Sequence, residues 1–328
     1  MLICQCAFAQ TPALKGCIRY DKTLSEHAAN KWRQTIQETH TADADAFNRW
    51  LVGLTSPPDG LIAEVRQQAK CMVIDYLRSS GVTDKQLIAM ELPEEKAGRT
   101  LRLARRHRKL SNAMSHLAFL AHHRKLSTQR FLWRKRARVT EPLDDYIPRK
   151  ELERCQSKDG MPRGECRRLL QLEKRELKAL RGTAAPGLSR HHWGTEVDLF
   201  AVNRYRFRDR GPLGGLYRWL KTNAHRYGFF QPYHGQNPLG YIEERWHWSY
   251  APVSVPLLEH IRTNVHEYTT AVEEQWRAMA SRWNRNRKYP LPYFDAVRKR
   301  MTALMYDVTM THYQDAMEAL PPQKSNQE

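Results

Sequence analysis

The chain has 328 residues, enough to bury a full core and build one large domain with additions. Hydrophobic residues make up 41% and charged residues 27%, ordinary for a globular protein, and no run approaches the roughly 18 apolar residues that span a bilayer. A balance of 54 basic to 35 acidic side chains leaves +19, a field that attracts nucleic acid, anionic lipid or an acidic wall polymer without choosing among them.

Residues 1–9 read as a possible signal-peptide remnant. Ala7 and Ala9 stand at the spacing of an A-x-A-like cleavage site, although there is no basic n-region and Gln5 interrupts the apolar stretch. The competing reading is an ordinary disordered N-terminus. Removing this piece leaves Cys17, Cys71, Cys155 and Cys166. Cys155 and Cys166 bracket a Gly-, Pro- and Lys-rich loop and fit a short disulfide in an oxidising compartment, against four free thiols in a reducing one. There is no Cys-x-x-Cys pair, so a cysteine zinc site is not expected.

Residues 10–110 form a helical N-terminal region. Val65, Ala69, Met72, Tyr76 and Leu77 recur at helical steps, and Ser56-Pro-Pro-Asp-Gly60 breaks the chain before them. From Ala97 to Val139 there are 13 Lys/Arg and no Asp or Glu, either a solvated basic face or a surface that meets an anionic polymer. Residues 111–255 differ in character: Gly, His and Trp concentrate there, and Leu117–Ala121 and Val197–Phe200 suit strands. Residues 256–328 form a helical C-terminal extension. In it Leu257, Ile261, Val265, Tyr268, Val272, Trp276, Met279 and Trp283 make one apolar stripe, predicted as a single long helix that packs rather than binds a ligand. Phe294, Val297, Met301, Leu304 and Val308 repeat the pattern.

Two stretches of the middle region carry chemistry. They are Pro186-Gly-Leu-Ser-Arg-His-His-Trp-Gly-Thr-Glu-Val-Asp198 and Gly240-Tyr-Ile-Glu-Glu-Arg-Trp-His-Trp-Ser-Tyr250. Two histidines and a carboxylate that converge, with a second carboxylate beside one histidine, are the components of a catalytic zinc site: three protein ligands, an open position for water and a base. Spacing alone leaves open that these histidines are merely packed.

Ser189-x-His191-x-x-Gly194-x-x-x-Asp198 and Glu244-x-Trp246-His247 resemble the two signatures of the D-alanyl-D-alanine carboxypeptidases related to VanY and VanX. Trp219-Leu220-x-x-Asn223-Ala224-x-x-Tyr227-Gly228-Phe229 resembles the helix and turn that precede the second signature, and Arg124 with Gln129 fits an upstream Arg-x-x-x-x-Gln element. The resemblance covers about residues 112–255. It implies that His191, Asp198 and His247 bind one Zn2+ per chain, that Glu244 is the general base and then the acid, and that Arg124 stabilises charge growing on the carbonyl oxygen. Ser189 and Gln129 would contact substrate, and Gly194 would permit the turn after His191. Where the family usually has Ala, this chain has Glu196, expected to be a partner of a ligand, a rival ligand or a modifier of substrate fit. Glu243 is a weaker rival to Glu244, and His192 is expected to be a loop residue.

The implied fold is α+β: a small, mostly antiparallel sheet carrying the zinc site, flanked by helices, with N- and C-terminal helical additions. The implied function is an exported peptidase of the periplasm or cell-wall space, removing the terminal D-Ala of peptidoglycan stem peptides. An endopeptidase or D-Ala-D-Ala dipeptidase of the same family remains open. So do two other classes, a non-catalytic wall-binding protein and a basic nucleic-acid-binding protein, the latter without a recognisable motif for a specific nucleic acid.

Overall fold

In this computed structural model the described residues are 17–81, 123–138, 179–200, 202–235 and 241–284, with positions 164, 167, 171, 306, 307, 309 and 310. The predicted Leu117–Ala121 strand, the Cys155–Cys166 bridge, residues 1–9, most of the basic run and the stripe from Phe294 onward lie outside them.

Three helices open the described chain: α1 (Lys22–Ala42), α2 (Ala44–Leu51) and α3 (Leu61–Ser79). Asp21 caps α1 by accepting from the Leu24 N–H at 2.8 Å. Asp43 does two jobs at the corner: its N–H closes α1 on the Thr39 carbonyl and its carboxylate caps α2. The Ser56–Gly60 break turns the chain, and Gly60, at φ +81°, adopts the left-handed backbone that starts α3. A disulfide between Cys17 and Cys71 ties the segment before α1 to α3. The basic helix α4 (Leu126–Arg138) follows.

The sheet has three strands, β1 (Glu196–Asp198), β2 (Phe229–Phe230) and β3 (His247–Tyr250), all antiparallel in the order β1-β3-β2. Helix α5 (Gly214–Asn223) leads into β2. Register decides what meets: Asp198 pairs with His247, Val197 with Trp248 and Glu196 with Ser249. Alternate residues share a face, so Glu196, Asp198, His247 and Ser249 lie together while Val197, Trp248 and Tyr250 enter the core. The mixed fold with a small antiparallel sheet and flanking helices is thus the one expected.

After β3 come α6 (Ala251–Thr263), with Pro252 in its first turn, and α7 (Val265–Asn284). The single long helix expected over Leu257–Trp283 is corrected here. Asn264 leaves helical geometry (φ −112°, ψ 39°), and both its backbone N–H and its side-chain amide donate to the His260 carbonyl. This break re-phases the stripe: Leu257, Ile261, Tyr268, Val272 and Trp276 are buried, but Val265 is 39% exposed. One hydrophobic core runs without interruption from Trp50, Met72 and Leu77 through Trp193, Val197 and Trp248 to Leu257 and Val272. Helix α1 lies along α6, where Arg33 makes a two-pronged ion pair with Glu259 at 2.7 and 2.8 Å. Among the described residues no helix is long and apolar enough to cross a membrane.

Candidate metal centre and its cleft

The loop from Pro186 to Gly194 is locked before any ligand is considered. Gly187 (φ +88°) and Gly194 (φ +82°) bracket a 3-10 turn, Arg190–Trp193, whose four side chains are all buried. A Cβ on Gly194 would sit 2.7 Å from Pro57 Cγ, so the turn needs glycine both for its backbone and for the α2–α3 loop packed against it. Trp50 adds an indole N–H to the Trp193 carbonyl at 3.3 Å.

On the cleft side of this loop, one ligand atom each of His191, Asp198 and His247 lies within 4.8 Å of the others, a group able to hold a metal ion. His191 Nε2 is 3.4 Å from Asp198 Oδ2, and His247 Nδ1 is 3.2 Å from Asp198 Oδ1. The donor set, two imidazole nitrogens and one carboxylate, suits zinc. One further observation fits a cation there: Asp198 Oδ1 is buried and accepts no hydrogen bond. Burial would raise the Asp198 carboxyl, yet the two histidines beside it hold it well below the usual carboxylate range. Burial, with Arg124 nearby, lowers His191 to about 4. His247 goes the other way: burial favours the neutral ring, but Asp198 and Glu196 outweigh it and raise the group to about 10.

Glu244 comes from the turn before β3. Its N–H donates to the Tyr233 carbonyl at 2.9 Å, and its carboxylate reaches within 3.5 Å of His247 Nδ1. Burial pushes its carboxyl up to about 7, against the pull of His247. The neighbouring Glu243 points elsewhere, accepting from Tyr217 at 3.0 Å and from Arg245 at 2.8 Å. Arg124 lines the cleft, with Nη2 3.7 Å from Asp198 Oδ2 and its backbone N–H on the His191 carbonyl at 3.0 Å.

Ser189 also lines the cleft, next to His191. Gln129, expected to touch substrate, does not line the cleft. It is fully buried behind Arg124, where its side-chain carbonyl accepts from Arg124 Nη1 at 2.9 Å and its amide donates to the Ala184 carbonyl. Its Arg-x-x-x-x-Gln spacing on and just before α4 makes it a holder of Arg124. His192 lies in the loop from Pro186 to Gly194, as expected, and is fully buried there. The Gly187 N–H donates to its Nε2 at 3.2 Å and its Nδ1–H donates to the Arg124 carbonyl at 2.5 Å; burial lowers it to about 3, so the ring is neutral. Tyr233, missed in the sequence, lines the cleft with its ring 5.0 Å from that of His247. No local signal marks it, because its place follows from the pairing with the Glu244 backbone.

The cleft has a volume of about 560 Å³. Lys135, Arg136 and Arg181 give it a basic wall, while Leu132, Ile242 and Trp246 give it an apolar one.

Residues 96–253 match the family model described as VanY: D-alanyl-D-alanine carboxypeptidase. Two solved structures are similar to part of the chain. One is VanYB in complex with D-alanine-D-alanine, 20% identical over 42% of this chain and 60% of that one, with a TM-score of 0.24. The other is a Glu-to-Ala variant of the vancomycin resistance D,D-pentapeptidase VanY in complex with Zn(II), 21% identical over 42% of this chain and 61% of that one, with a TM-score of 0.22. The match thus spans about three fifths of each of those chains. No curated protein matches the chain. The segment 96–253, which supplies every cleft group described above, belongs to the VanY D-alanyl-D-alanine carboxypeptidase family.

Proposed function

We propose that the chain is a zinc-dependent peptidoglycan peptidase that removes the terminal D-Ala from stem peptides. The observation that carries this reading is the convergence of His191, Asp198 and His247 at the floor of a cleft, with Glu244 within 3.5 Å of His247, inside a segment of the VanY family. The two similar solved structures, one with D-alanine-D-alanine and one with Zn(II), name a ligand and a metal of that kind.

Bound zinc would supply a Lewis acid that polarises the scissile carbonyl and makes water acidic enough to be deprotonated near neutral pH. Glu244 takes the proton from the attacking water, and the burial that raises its carboxyl makes it a stronger base for that task. As the C–N bond breaks, the same proton passes from Glu244 to the departing D-alanine amine. Arg124, held by Gln129, places fixed positive charge where the carbonyl oxygen becomes negative. Tyr233 and the buried loop keep His247 and His191 oriented and the floor dry. The wall formed by Lys135, Arg136 and Arg181 suits an acidic substrate, and the Cys17–Cys71 bridge suits an oxidising, exported setting.

The test is metal analysis of the purified protein, followed by product assays on stem peptides of different length and cross-linking. One zinc per chain and chelator-sensitive release of free D-alanine from a pentapeptide support the carboxypeptidase reading. Release of a D-Ala-D-Ala dipeptide or cleavage inside a cross-link would move it to a dipeptidase or an endopeptidase. Absence of zinc, or turnover indifferent to chelator, would remove it.

A further inference from the structure

A second charged cluster lies directly behind the metal ligands, and nothing in the reaction above uses it. Glu196, fully buried on β1, accepts four hydrogen bonds. They come from His247 Nε2 at 2.7 Å, Ser249 Oγ at 2.7 Å, Thr195 Oγ1 at 3.0 Å and Arg190 Nε at 3.3 Å. Arg190 is itself 1% exposed. Its guanidinium lies over the rings of Trp193 (5.2 Å) and Phe230 (5.6 Å) and donates also to Ser249 Oγ at 2.8 Å and the Thr309 carbonyl at 3.4 Å. A buried carboxylate tolerates its charge only when paired and hydrogen-bonded, and here Arg190 provides the pairing.

We infer that Glu196 is a positioning residue of the metal centre, fixing which nitrogen of His247 faces the ion, with Arg190 as the partner that holds Glu196 in place. The inference rests on reading His191, Asp198 and His247 as a zinc site. With its other oxygen taken by Arg190, Thr195 and Ser249, Glu196 accepts from the ring at 2.7 Å, which places the proton of the neutral imidazole on Nε2. The lone pair is then on Nδ1, the atom that faces Asp198 and Glu244 across the cleft floor. Holding the second ring nitrogen in this way selects the tautomer, stops the ring from rotating and makes the free nitrogen a better donor. The register of the sheet makes this contact possible: Glu196 and Asp198 project from one face of β1 and reach opposite nitrogens of the same ring.

Removing Glu196 alone leaves Arg190 buried without its partner, so loss of folding would obscure its role. The informative variant is the double Arg190→Met/Glu196→Ala, which removes both charges, compared with Glu196→Gln, which keeps an acceptor oxygen. Zinc affinity is measured by competition with a chromophoric chelator, alongside the melting temperature of the metal-free protein. The double variant, folded by circular dichroism, is expected to bind zinc about 10- to 100-fold more weakly than the parent. It should also lose the slowly exchanging imidazole N–H proton resonance that the zinc-loaded parent shows. Glu196→Gln, which carries the test should the double variant not fold, is expected to lose less affinity, about 3- to 10-fold. Parent-like zinc affinity in a folded double variant, or in Glu196→Gln if that variant alone folds, overturns the inference and leaves the zinc reading intact. A parent that binds no zinc overturns both.

Discussion

The two sides of the loop that carries His191 are built from similar residues to opposite ends. The cleft side presents His191, Asp198, Arg124 and Glu244, and two atoms there, Asp198 Oδ1 and Arg124 Nε, are buried and make no hydrogen bond. On the far side, His192 has both ring nitrogens occupied, and Glu196 has four donors on two oxygens. Adjacent histidines in the chain therefore differ in place: His191 lines the cleft beside Asp198, and His192 is closed on backbone groups. A group whose valences are filled by protein holds the fold, and a group with valence left over is available to a ligand. The difference lies in the surroundings and not in residue type.

The largest effect that tests this division is on the cleft side. Glu244→Gln should reduce turnover by about 10²- to 10⁴-fold, the usual worth of a positioned general base, while zinc content stays at the parent level. Because burial already raises the Glu244 carboxyl to about 7, a neutral amide costs the fold little there, and the melting temperature should not fall. Turnover near that of the parent would remove Glu244 from the base's role.

Next in size is a change on the closed side. Gly53 has φ +80°, and a Cβ there would lie 2.3 Å from His192 Nδ1. Gly53→Ala must strain the backbone and displace the ring that holds the Arg124 carbonyl, at a cost of about 1–3 kcal/mol. Calorimetry should show a melting temperature lower by several degrees; an unchanged one would mean that the helix-to-loop contact is looser than described.

This dependence of the site on the α2–α3 loop marks the border of what the sequence disclosed. The structure brings His191, Asp198, Glu244 and His247 of the two signatures to one cleft, and each motif is short, with its geometry set by a local turn and strand. Glu196 stood out as a departure from the usual Ala, but its choice among three roles needed the strand register, which is a contact across 51 residues. The surroundings of Gln129 and His192 were not legible for a related reason: the side Gln129 faces depends on the Ala184 carbonyl, and the burial of His192 in its loop depends on Gly187 and Arg124. The stripe in the tail was legible as packing surface, but the break at Asn264 was not, since an Asn inside an unbroken apolar pattern differs little from any helical residue until its amide closes on His260. The N-terminal helices were legible as helices, while their contact with the ligand loop through Trp50, Gly53 and Pro57 was beyond any local pattern.

A third expectation concerns protons at the open side. In the metal-free centre Asp198 and Glu196 keep His247 protonated, up to about 10, whereas a ligand must be neutral. Below that value a proton competes with the metal, so zinc affinity should rise with pH and weaken about tenfold for each unit of acidification. Titration calorimetry of zinc binding at pH 7, in buffers of different ionisation enthalpy, should detect one proton released through the His247 ring. A pH-independent affinity would show that the ring is already neutral.

The smallest effect separates two neighbours that sequence left in competition. Glu243 is closed on Tyr217 and Arg245, and the side chains of the Arg245–Glu243 pair are 28% and 30% exposed. A pair this open to solvent is worth about 0–1 kcal/mol, and a glutamine keeps an oxygen for the Tyr217 hydroxyl and for Arg245. Glu243 also helps burial hold the Tyr217 hydroxyl up to about 12, so its loss should ease that group downward without bringing it into the neutral range. Glu243→Gln should therefore keep turnover within a few-fold of the parent and the melting temperature within a few degrees. A loss in turnover as large as that expected of Glu244→Gln would mean that the carboxylate already bound to protein is the one in use, and that filled valences do not tell the scaffold from the site.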